Sequence, residues 1–328
     1  MTSASAPGKL ILCGEHAVVY GRPAIAAPLG DLRAYARLEA GEPGSGLCFS
    51  APDLGETWTA AGQPEHPLSE LALATLARLR QNEPDLTIEL RSDIPIASGM
   101  GSGAAIGTAL VRALATHAGA TLAPEEVAAL VYASERRFHG TPSGIDNTVV
   151  AHERAIWFVR REPAPLIETL TIARPLLLVV GDTGVRSATR LPVGAVRERW
   201  RADPPRYEAL FDRVAELVTQ ARAALATGDA PLLGALLNAN QALLEQIGVS
   251  SPELERLVAA ARAAGALGAK LSGAGWGGVM LALVTPENRP AVENALQEAG
   301  AARVLAATVP ATGGVEGLAQ PILRPCLL

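Results

Sequence analysis

Apolar residues recur at helical spacing in several long stretches of the chain. They lie three or four positions apart in "PLSELALATLARLRQ" from Pro67, in "APEEVAALVYASERRFHG" from Ala123 and in the run after the glycines at 99–103. This spacing places them on one face of a helix, so each stretch predicts an amphipathic helix. The region 191–265 contains four more such stretches, "PVGAVRERW", "YEALFDRVAELVTQARAALATG", "APLLGALLNANQALLEQIG" and "SPELERLVAAARAAG", and is predicted to be a helical block.

Shorter apolar stretches bounded by Gly, Pro or polar residues predict strands instead. In the first forty residues, "KLILCGEHAVVYG", "AIAAPL" and "LRAYARLEA" predict short strands joined by Gly and Pro turns. Later strands are predicted at "LTIELRSD", "AIWFVRR", "PLLLVVGD", "GVMLALV" and "ARVLAATV", with a helix at "ENRPAVENALQEAG". The mixed order of strands and helices predicts an α+β fold, with a soft domain boundary near residues 170–185 and no internal repeat.

The composition is that of a globular protein: 49% of the 328 residues are hydrophobic and 19% are charged. A net charge of −5 and an aromatic content of 4% argue against a nucleic-acid partner. No apolar run is long enough to span a bilayer, and "MTSASAPGK" does not resemble a secretory signal. Cys13, Cys48 and Cys326 lie far apart, which is typical of neither a disulfide framework nor a zinc site. We therefore expect a cytoplasmic protein without a membrane partner.

The segment "PIASGMGSGAAIGTALV" has glycines at alternate positions, Gly99, Gly101 and Gly103, before a predicted helix. A ligand can approach such a backbone closely, and the helix N-terminus favours an anion such as phosphate. The alternative is a tight connecting loop with small residues for packing. No lysine follows as in a Walker loop, and the dinucleotide fingerprint at Gly99, Gly101 and Ala104 is a weak match because Pro95 interrupts the preceding strand.

A second glycine-rich segment, "GAKLSGAGWGGVMLALV" from Gly268 to Val284, runs into a predicted strand. Its glycines fit a hairpin turn with a bulge, or a second backbone surface that lies against the first loop or a ligand.

Only two of the 28 basic residues are lysine, Lys9 and Lys270, and both lie in glycine-containing segments. A lysine is a compact point charge that can stabilise a carboxylate base or phosphoryl oxygens, whereas arginine has a planar fork; chance is the alternative explanation. Glu135 lies near the end of a predicted helix, and Asp146 lies in a predicted Gly/Pro/Ser loop. Each of these carboxylates, like His139, is by itself more typical of a cap or salt-bridge partner than of a catalytic group.

Three segments together resemble the GHMP kinase superfamily: "APGKLILCGEHAVVYG" at 6–21, "PIASGMGSGAA" at 95–105 and "KLSGAGWGGVM" at 270–280. Within it, "GEHAVVYGRPAIAAPL" and "HGTPSGIDNTVV" are most similar to the mevalonate kinases. The resemblance implies an α+β, two-lobed GHMP kinase fold. Its N-terminal lobe at 1–175 would be ribosomal protein S5 domain 2-like and carry the phosphate-binding loop, and its C-terminal lobe at 176–328 would be ferredoxin-like.

The resemblance further implies ATP-dependent phosphorylation of the 5-hydroxyl of mevalonate in isoprenoid biosynthesis, with Mg²⁺ as cofactor. It also suggests a homodimer. By position, Asp146 matches the catalytic base and Lys9 the lysine beside it. Glu15 and His16 match a pair that lines the mevalonate site, and Thr189 matches a threonine close to the substrate.

On the nucleotide side, the resemblance implies that Glu135 and Ser102 bind the metal and that Gly273–Gly277 support the triphosphate from the other lobe. The residues that would wrap the phosphates are Ser98, Gly99, Gly101, Ser102, Gly103 and Ala104.

The chain departs from the family pattern at three places. Gly103 replaces the second serine of the usual Gly-Leu-Gly-Ser-Ser loop, so Ser102 or a water must serve the metal. Trp276 stands where a glycine is usual. Ser187 aligns with a substrate-binding arginine of animal mevalonate kinases, for which the adjacent Arg186 is a candidate replacement.

Other functions remain open at this stage. They are a sister kinase acting on phosphomevalonate, on the 3-hydroxyl of mevalonate, on a sugar or on homoserine; a non-catalytic ligand-binding relative; and a nicotinamide-dependent enzyme.

Overall fold

The computed structural model describes residues 1–95, 98–139, 144–162 and 165–312, and at residues 138 and 139 it describes the backbone alone. Three residues of the sequence analysis fall outside this description: Cys326, the side chain of His139, and Gly140, which ends the helical stretch predicted from Ala123.

In the described part of the chain, the first sheet has seven strands. They are β1 (Thr2–Cys13), β2 (Pro23–Ala40), β3 (Leu47–Ala51), β4 (Glu56–Thr59), β5 (Leu86–Ser92), β6 (Ile156–Val159) and β7 (Leu166–Thr169). Their order is β4-β3-β5-β2-β6-β7, with β1 paired to β2 off this path. Most pairs are antiparallel, and β3 with β5 is parallel.

Four described helices accompany this sheet: α1 (Pro67–Arg78), α2 (Ser102–His117), α3 (Pro124–His139) and α4 (Ile145–His152). A 3₁₀ turn spans Ala17–Tyr20. The predictions of α1, α2 and α3 are confirmed. The small residues Ala104, Ala105, Ala109 and Ala113 of α2 are buried where this helix packs across β1 and β2. The first turn of α2 is thereby fixed at the end of a helix that runs through the core.

The prediction of short strands in the first forty residues is wrong, because β1 and β2 are long and continuous. Pro28 lies opposite Lys9 in the β1–β2 ladder. On the other edge of β2 it lies between the stretch that pairs with β6, which ends at Ala26, and the stretch that pairs with β5, which begins at Ala34, so a residue without an N–H is tolerated on that edge. The β1–β2 ladder stays continuous past two register shifts, between Pro7 and Gly8 and between Ile11 and Cys13, as it would at β-bulges.

The second sheet has four described strands, β8 (Leu176–Asp182), β9 (Gly268–Ser272), β10 (Val279–Val284) and β11 (Arg303–Val309). It is antiparallel, with the order β11-β8-β10-β9. This order is the one that the expected ferredoxin-like arrangement requires. The predicted helical block is confirmed as α5 (Arg190–Ala202), α6 (Pro204–Thr227), α7 (Ala230–Ile247) and α8 (Pro252–Ala263), and α9 (Arg289–Glu298) joins β10 to β11.

The two sheets share one large hydrophobic cluster, which includes Leu10 and Ile25 of the first and Val179 and Leu281 of the second. The first sheet ends at Thr169 and the second begins at Leu176; a domain division at 175/176 stays a prediction. Among the described residues, none of the helices is long and apolar enough to cross a membrane.

Candidate active site

Lys9 and Asp146, which are 137 positions apart in the sequence, form an ion pair in the structure. Lys9 Nζ lies 3.1 Å from Asp146 Oδ1. The Lys9 side chain is 5% exposed, and that of Asp146 is 37% exposed, so one face of the carboxylate is open to a ligand. The prediction of a loop around Asp146 is wrong: this residue is in the first turn of α4, after Gly144 at a φ of 85°.

The C-terminal end of α4 is also fixed by charged groups. There Glu153 accepts hydrogen bonds from Arg33 at 3.0 and 3.1 Å and from Arg112. Burial alone would raise the pKa of Glu153, but the bonds from the two arginines outweigh it, and the pKa lies below its ordinary value. This cluster ties α4 to β2 and α2, and so fixes the helix that carries Asp146.

Glu135, on the last turns of α3, is electrostatically coupled to the ion pair. Burial raises the pKa of Glu135 to about 7, the negative charge of Asp146 raises it too, and Lys9 opposes both. A buried carboxylate beside another carboxylate is stabilised in its charged form by a cation. Among the described residues no group of three or more His, Cys, Asp or Glu could hold a metal ion by itself. A single carboxylate of this kind can contribute one ligand to a divalent cation whose other ligands are phosphate oxygens and waters.

The glycine loop, described from Ser98 onward, leads directly into α2. Gly101 caps the helix at a φ of 74°, and the first turn of α2 contains no acidic residue. The first turn itself therefore contributes no negative charge that would oppose an anion at its backbone N–H groups. Cβ atoms added at Gly99 or Gly103 would meet nothing within 4 Å, so both glycines border open space.

Lys9 and the loop are also in direct contact. Lys9 N donates to Met100 O at 2.9 Å, and a Cβ at Gly101 would lie 2.9 Å from Lys9 Cγ. Ser98 is buried, and its hydroxyl donates to Pro95 O at 2.7 Å. The loop conformation and the position of Lys9 are therefore determined together.

Lys270, the second lysine, forms a buried ion pair with Glu15 across 255 positions of sequence. Both side chains are almost fully buried, at 0% and 1% exposure, and Glu15 Oε2 has no hydrogen-bond partner among the residues that the structure describes. Burial raises the pKa of Glu15, and Lys270 opposes this. Burial likewise raises the pKa of the neighbouring Cys13 thiol to about 12, so this thiol stays protonated and unreactive.

His16 is buried beside this pair with a positive φ of 61°. Its Nε2 lies 2.9 Å from the carbonyl oxygen of Ala274. Because a carbonyl only accepts, Nε2 carries the proton, and Nδ1 is left as an acceptor in the neutral ring. Burial lowers the pKa of His16 to about 4, so the ring is neutral at pH 7.

The second glycine segment forms β9 and the β9–β10 connection at 273–278, here called the glycine hairpin. Ser272 Oγ accepts from Ile11 N at 3.2 Å and donates to Ile11 O at 3.0 Å. A Cβ at Gly278 would lie 3.5 Å from Ser98 O. The predicted hairpin turn is confirmed, and its backbone lies against the first loop, but the β9–β10 ladder pairs from Ser272 to Gly268 without the expected bulge.

A cavity of about 290 Å³ opens beside the first turn of α2. The lining is largely apolar and includes Trp58, Leu68, Leu71 and Ile106, here called the apolar wall. Its other members include Ser102, Gly103 and Glu135 and also the polar side chains of Asp53, Glu56, His66 and Arg91. The apolar wall was not predicted from the sequence, because β3 and β4 are short; the clustering of Phe49 and Trp58 in a chain poor in aromatics was the available signal.

Thr189 is exposed at the residue before α5. Arg186, the candidate replacement for the family arginine, donates two hydrogen bonds to the buried Asp182, at 2.9 and 3.0 Å. Its guanidinium is thereby engaged within the β8–α5 connection. The substrate-binding roles of Glu15, His16 and Thr189 stay predictions.

Comparison with known proteins agrees with this geometry. A model of the GHMP kinases N-terminal domain matches residues 68–153, and one of the GHMP kinases C-terminal region matches residues 221–302. The mevalonate kinase of Thermococcus sibiricus is 37% identical, over 90% of this chain and 93% of its own length. That of Pyrococcus horikoshii is 36% identical, over 90% of this chain and 92% of its own length.

The fold agrees as well. A crystal structure of L. major mevalonate kinase in complex with R-mevalonate superposes with a TM-score of 0.84 at 32% identity, covering 96% of this chain and 97% of that one. The Streptococcus pneumoniae phosphomevalonate kinase shares the fold at 17% identity, with a TM-score of 0.76 over 93% of this chain and 100% of that one. The chain belongs to the GHMP kinases, a family of small-molecule kinases.

Proposed function

We propose that this protein transfers the γ-phosphoryl group of ATP to the 5-hydroxyl of mevalonate. The observation that carries the proposal is the Lys9–Asp146 ion pair at 3.1 Å, directly beside the loop that caps α2. A kinase needs a carboxylate next to the acceptor hydroxyl and an anion site for the phosphates, within reach of one another. The similarity to mevalonate kinases supports mevalonate as the acceptor.

In the proposed reaction, Asp146 accepts the proton of the substrate hydroxyl. The hydroxyl oxygen forms a bond to the γ-phosphorus, the bond between that phosphorus and the β–γ bridging oxygen breaks, and ADP leaves. Lys9 Nζ, beside the carboxylate, stabilises negative charge on the acceptor oxygen and on the phosphoryl oxygens. The N-terminus of α2 stabilises the phosphates through its backbone N–H groups.

The cavity beside α2 supports nucleotide binding with the phosphates at the N-terminus of this helix. The phosphates would lie at Ser102 and Gly103 in the first turn of α2, and the apolar wall at Trp58, Leu68 and Ile106 suits a flat base. We propose that the adenine of ATP binds against this wall.

We also propose Mg²⁺ as cofactor. The carboxylate of Glu135 and the hydroxyl of Ser102 would hold it, since both residues line the same cavity. The metal would neutralise charge on the transferred phosphate. A cytoplasmic location and a homodimer stay predictions.

The proposed function is tested by ADP release, coupled to NADH oxidation, with ATP, Mg²⁺ and four separate acceptors. These are mevalonate, 5-phosphomevalonate, homoserine and galactose. Turnover restricted to mevalonate is the expected result. Turnover restricted to another acceptor would contradict the proposed substrate, and ATP binding without turnover on any acceptor would contradict the proposed catalytic function.

The metal ligands make a separate prediction. Ser102→Ala is expected to raise the Mg²⁺ concentration that gives half-maximal rate by about tenfold, because a hydrogen-bonding or ligating hydroxyl is lost. A Cβ at Gly103 meets open space, so the double variant Ser102→Ala/Gly103→Ser can present a new hydroxyl one residue later. We expect this double variant to recover part of the loss.

The measurement is a Mg²⁺ titration at saturating mevalonate and fixed ATP, with Gly103→Ser alone as the control. If Ser102→Ala leaves the titration unchanged, Ser102 is not a metal ligand.

A further inference from the structure

Trp276 has a backbone conformation that a tryptophan rarely adopts. It lies in the glycine hairpin at a φ of 56°, in the left-handed region. For a bulky residue this region is a genuine outlier, and such conformations persist only where the surroundings fix them. The conformation therefore points to contacts that hold the side chain in place.

Those contacts join the hairpin to the connection between α7 and α8. The indole Nε1–H donates to Gly248 O at 3.0 Å, and Trp276 N donates to Val249 O at 2.9 Å. Arg199 of α5 donates to the same Gly248 carbonyl at 3.0 Å and to Ile247 O at 3.2 Å. One carbonyl group at the end of α7 thus anchors the hairpin and α5 together.

The glycine hairpin also touches two residues to which the family resemblance assigns roles, His16 on the acceptor side and Ser98 in the phosphate loop. Ala274 O lies 2.9 Å from His16 Nε2, and Gly278 packs against the carbonyl of Ser98. Gly278 O also accepts from the backbone N and the hydroxyl of Thr183, at 2.9 and 2.8 Å. A displacement of the hairpin would therefore move His16 and the phosphate loop relative to each other.

We propose that Trp276 is a positioning residue: its indole anchors the glycine hairpin to Gly248 O and thereby aligns the acceptor side of the site with the phosphate loop. This inference rests on the proposed function for the identity of those two sides. The indole of Trp276 does not contact the reacting groups itself. Its loss is therefore expected to lower kcat, which depends on the alignment of the bound substrates, more than it changes the affinity for either substrate.

The test compares two substitutions at Trp276 with a matched control elsewhere. Trp276→Phe keeps a ring and removes the N–H, whereas Trp276→Gly suits the positive φ and removes the anchor altogether. The control is Trp200→Phe in α5, which removes an indole N–H that donates to Glu208 of α6 at 2.7 Å and leaves the bonds of Trp276 and Arg199 to Gly248 O in place. The readouts are kcat, both KM values and the midpoint of thermal unfolding.

We expect Trp276→Phe to lower kcat by about tenfold, with both KM values within about twofold and a thermal midpoint close to that of Trp200→Phe. Trp276→Gly is expected to lower kcat at least as much without a lower midpoint than Trp276→Phe, since the backbone strain is relieved. A role in stability alone would give the opposite pattern, an unchanged kcat with a lowered midpoint, and would overturn the inference.

Hydrogen exchange measured by mass spectrometry extends the test to a property that needs no turnover. Peptides covering 273–278 are expected to exchange faster in Trp276→Phe than in Trp200→Phe, and equal exchange would overturn the inference. Absence of turnover on mevalonate by the unaltered protein would instead overturn the proposed function, so the two failures are distinguishable.

Discussion

Replacing Asp146 with Asn is expected to lower kcat for phosphoryl transfer to mevalonate by about 10²–10⁴-fold, the contribution of a positioned general base. An amide is nearly the same shape as the carboxylate but cannot accept the hydroxyl proton. The loop at the N-terminus of α2 is untouched, so KM for ATP is expected to change by no more than about twofold. The measurement is steady-state kinetics with both substrates varied.

A matched control for this substitution is Asp212→Asn. Asp212 accepts from Arg22 at 2.8 and 3.0 Å, in an exposed ion pair away from the site, and its loss is expected to leave kcat unchanged. If Asp146→Asn retained kcat within a few fold of the unaltered protein, Asp146 would not be the base.

The second large effect is expected from the buried lysine. Lys270→Met leaves the charge of Glu15 without a partner in a site that is 1% exposed, and removing one member of a buried pair costs about 3–5 kcal/mol. We expect a loss of that size in the free energy of unfolding, measured by urea denaturation. The cause is desolvation of the remaining carboxylate, not the loss of packing, because Met is close to Lys in length.

The double variant Glu15→Gln/Lys270→Met separates these causes. It contains no unpaired charge, and it is expected to recover a large part of the lost stability. If the double variant were as unstable as Lys270→Met, or if Lys270→Met lost less than about 1 kcal/mol, the buried pair would not be the source of the effect.

The sequence allowed the helices to be predicted well, because their apolar spacing persists over many residues. The helix α2 and the block α5–α8 are in this class. Prediction failed where a few residues depend on distant partners. The stretch Gly268–Ser272 is glycine-containing and short, and it is a strand because β10 pairs along it and Asn238 Oδ1 and Gln241 Oε1 of α7 accept from its backbone. Similarly, Asp146 is helical because Gly144 provides the turn that begins α4.

The site divides in the same way. The resemblance to the mevalonate kinases predicted that Lys9 and Asp146 act together, and the structure brings them into contact. The partner of Lys270 could not be predicted, because a pair between Glu15, just after β1, and a residue of β9 depends on how the two sheets pack. The apolar wall at Trp58 was missed for a related reason: its members come from β4, α1 and α2, and no local pattern joins them.

The central claim is that the phosphate is transferred to the 5-hydroxyl of mevalonate, and the position of the phosphate on the product tests it most directly. The protein is incubated with mevalonate, ATP and Mg²⁺, and the purified product is examined by phosphorus and proton NMR. The account predicts a phosphomonoester whose phosphorus couples to the methylene protons at carbon 5. A phosphomonoester on the tertiary 3-hydroxyl, which bears no such protons, or ATP consumption without any phosphorylated mevalonate would contradict it.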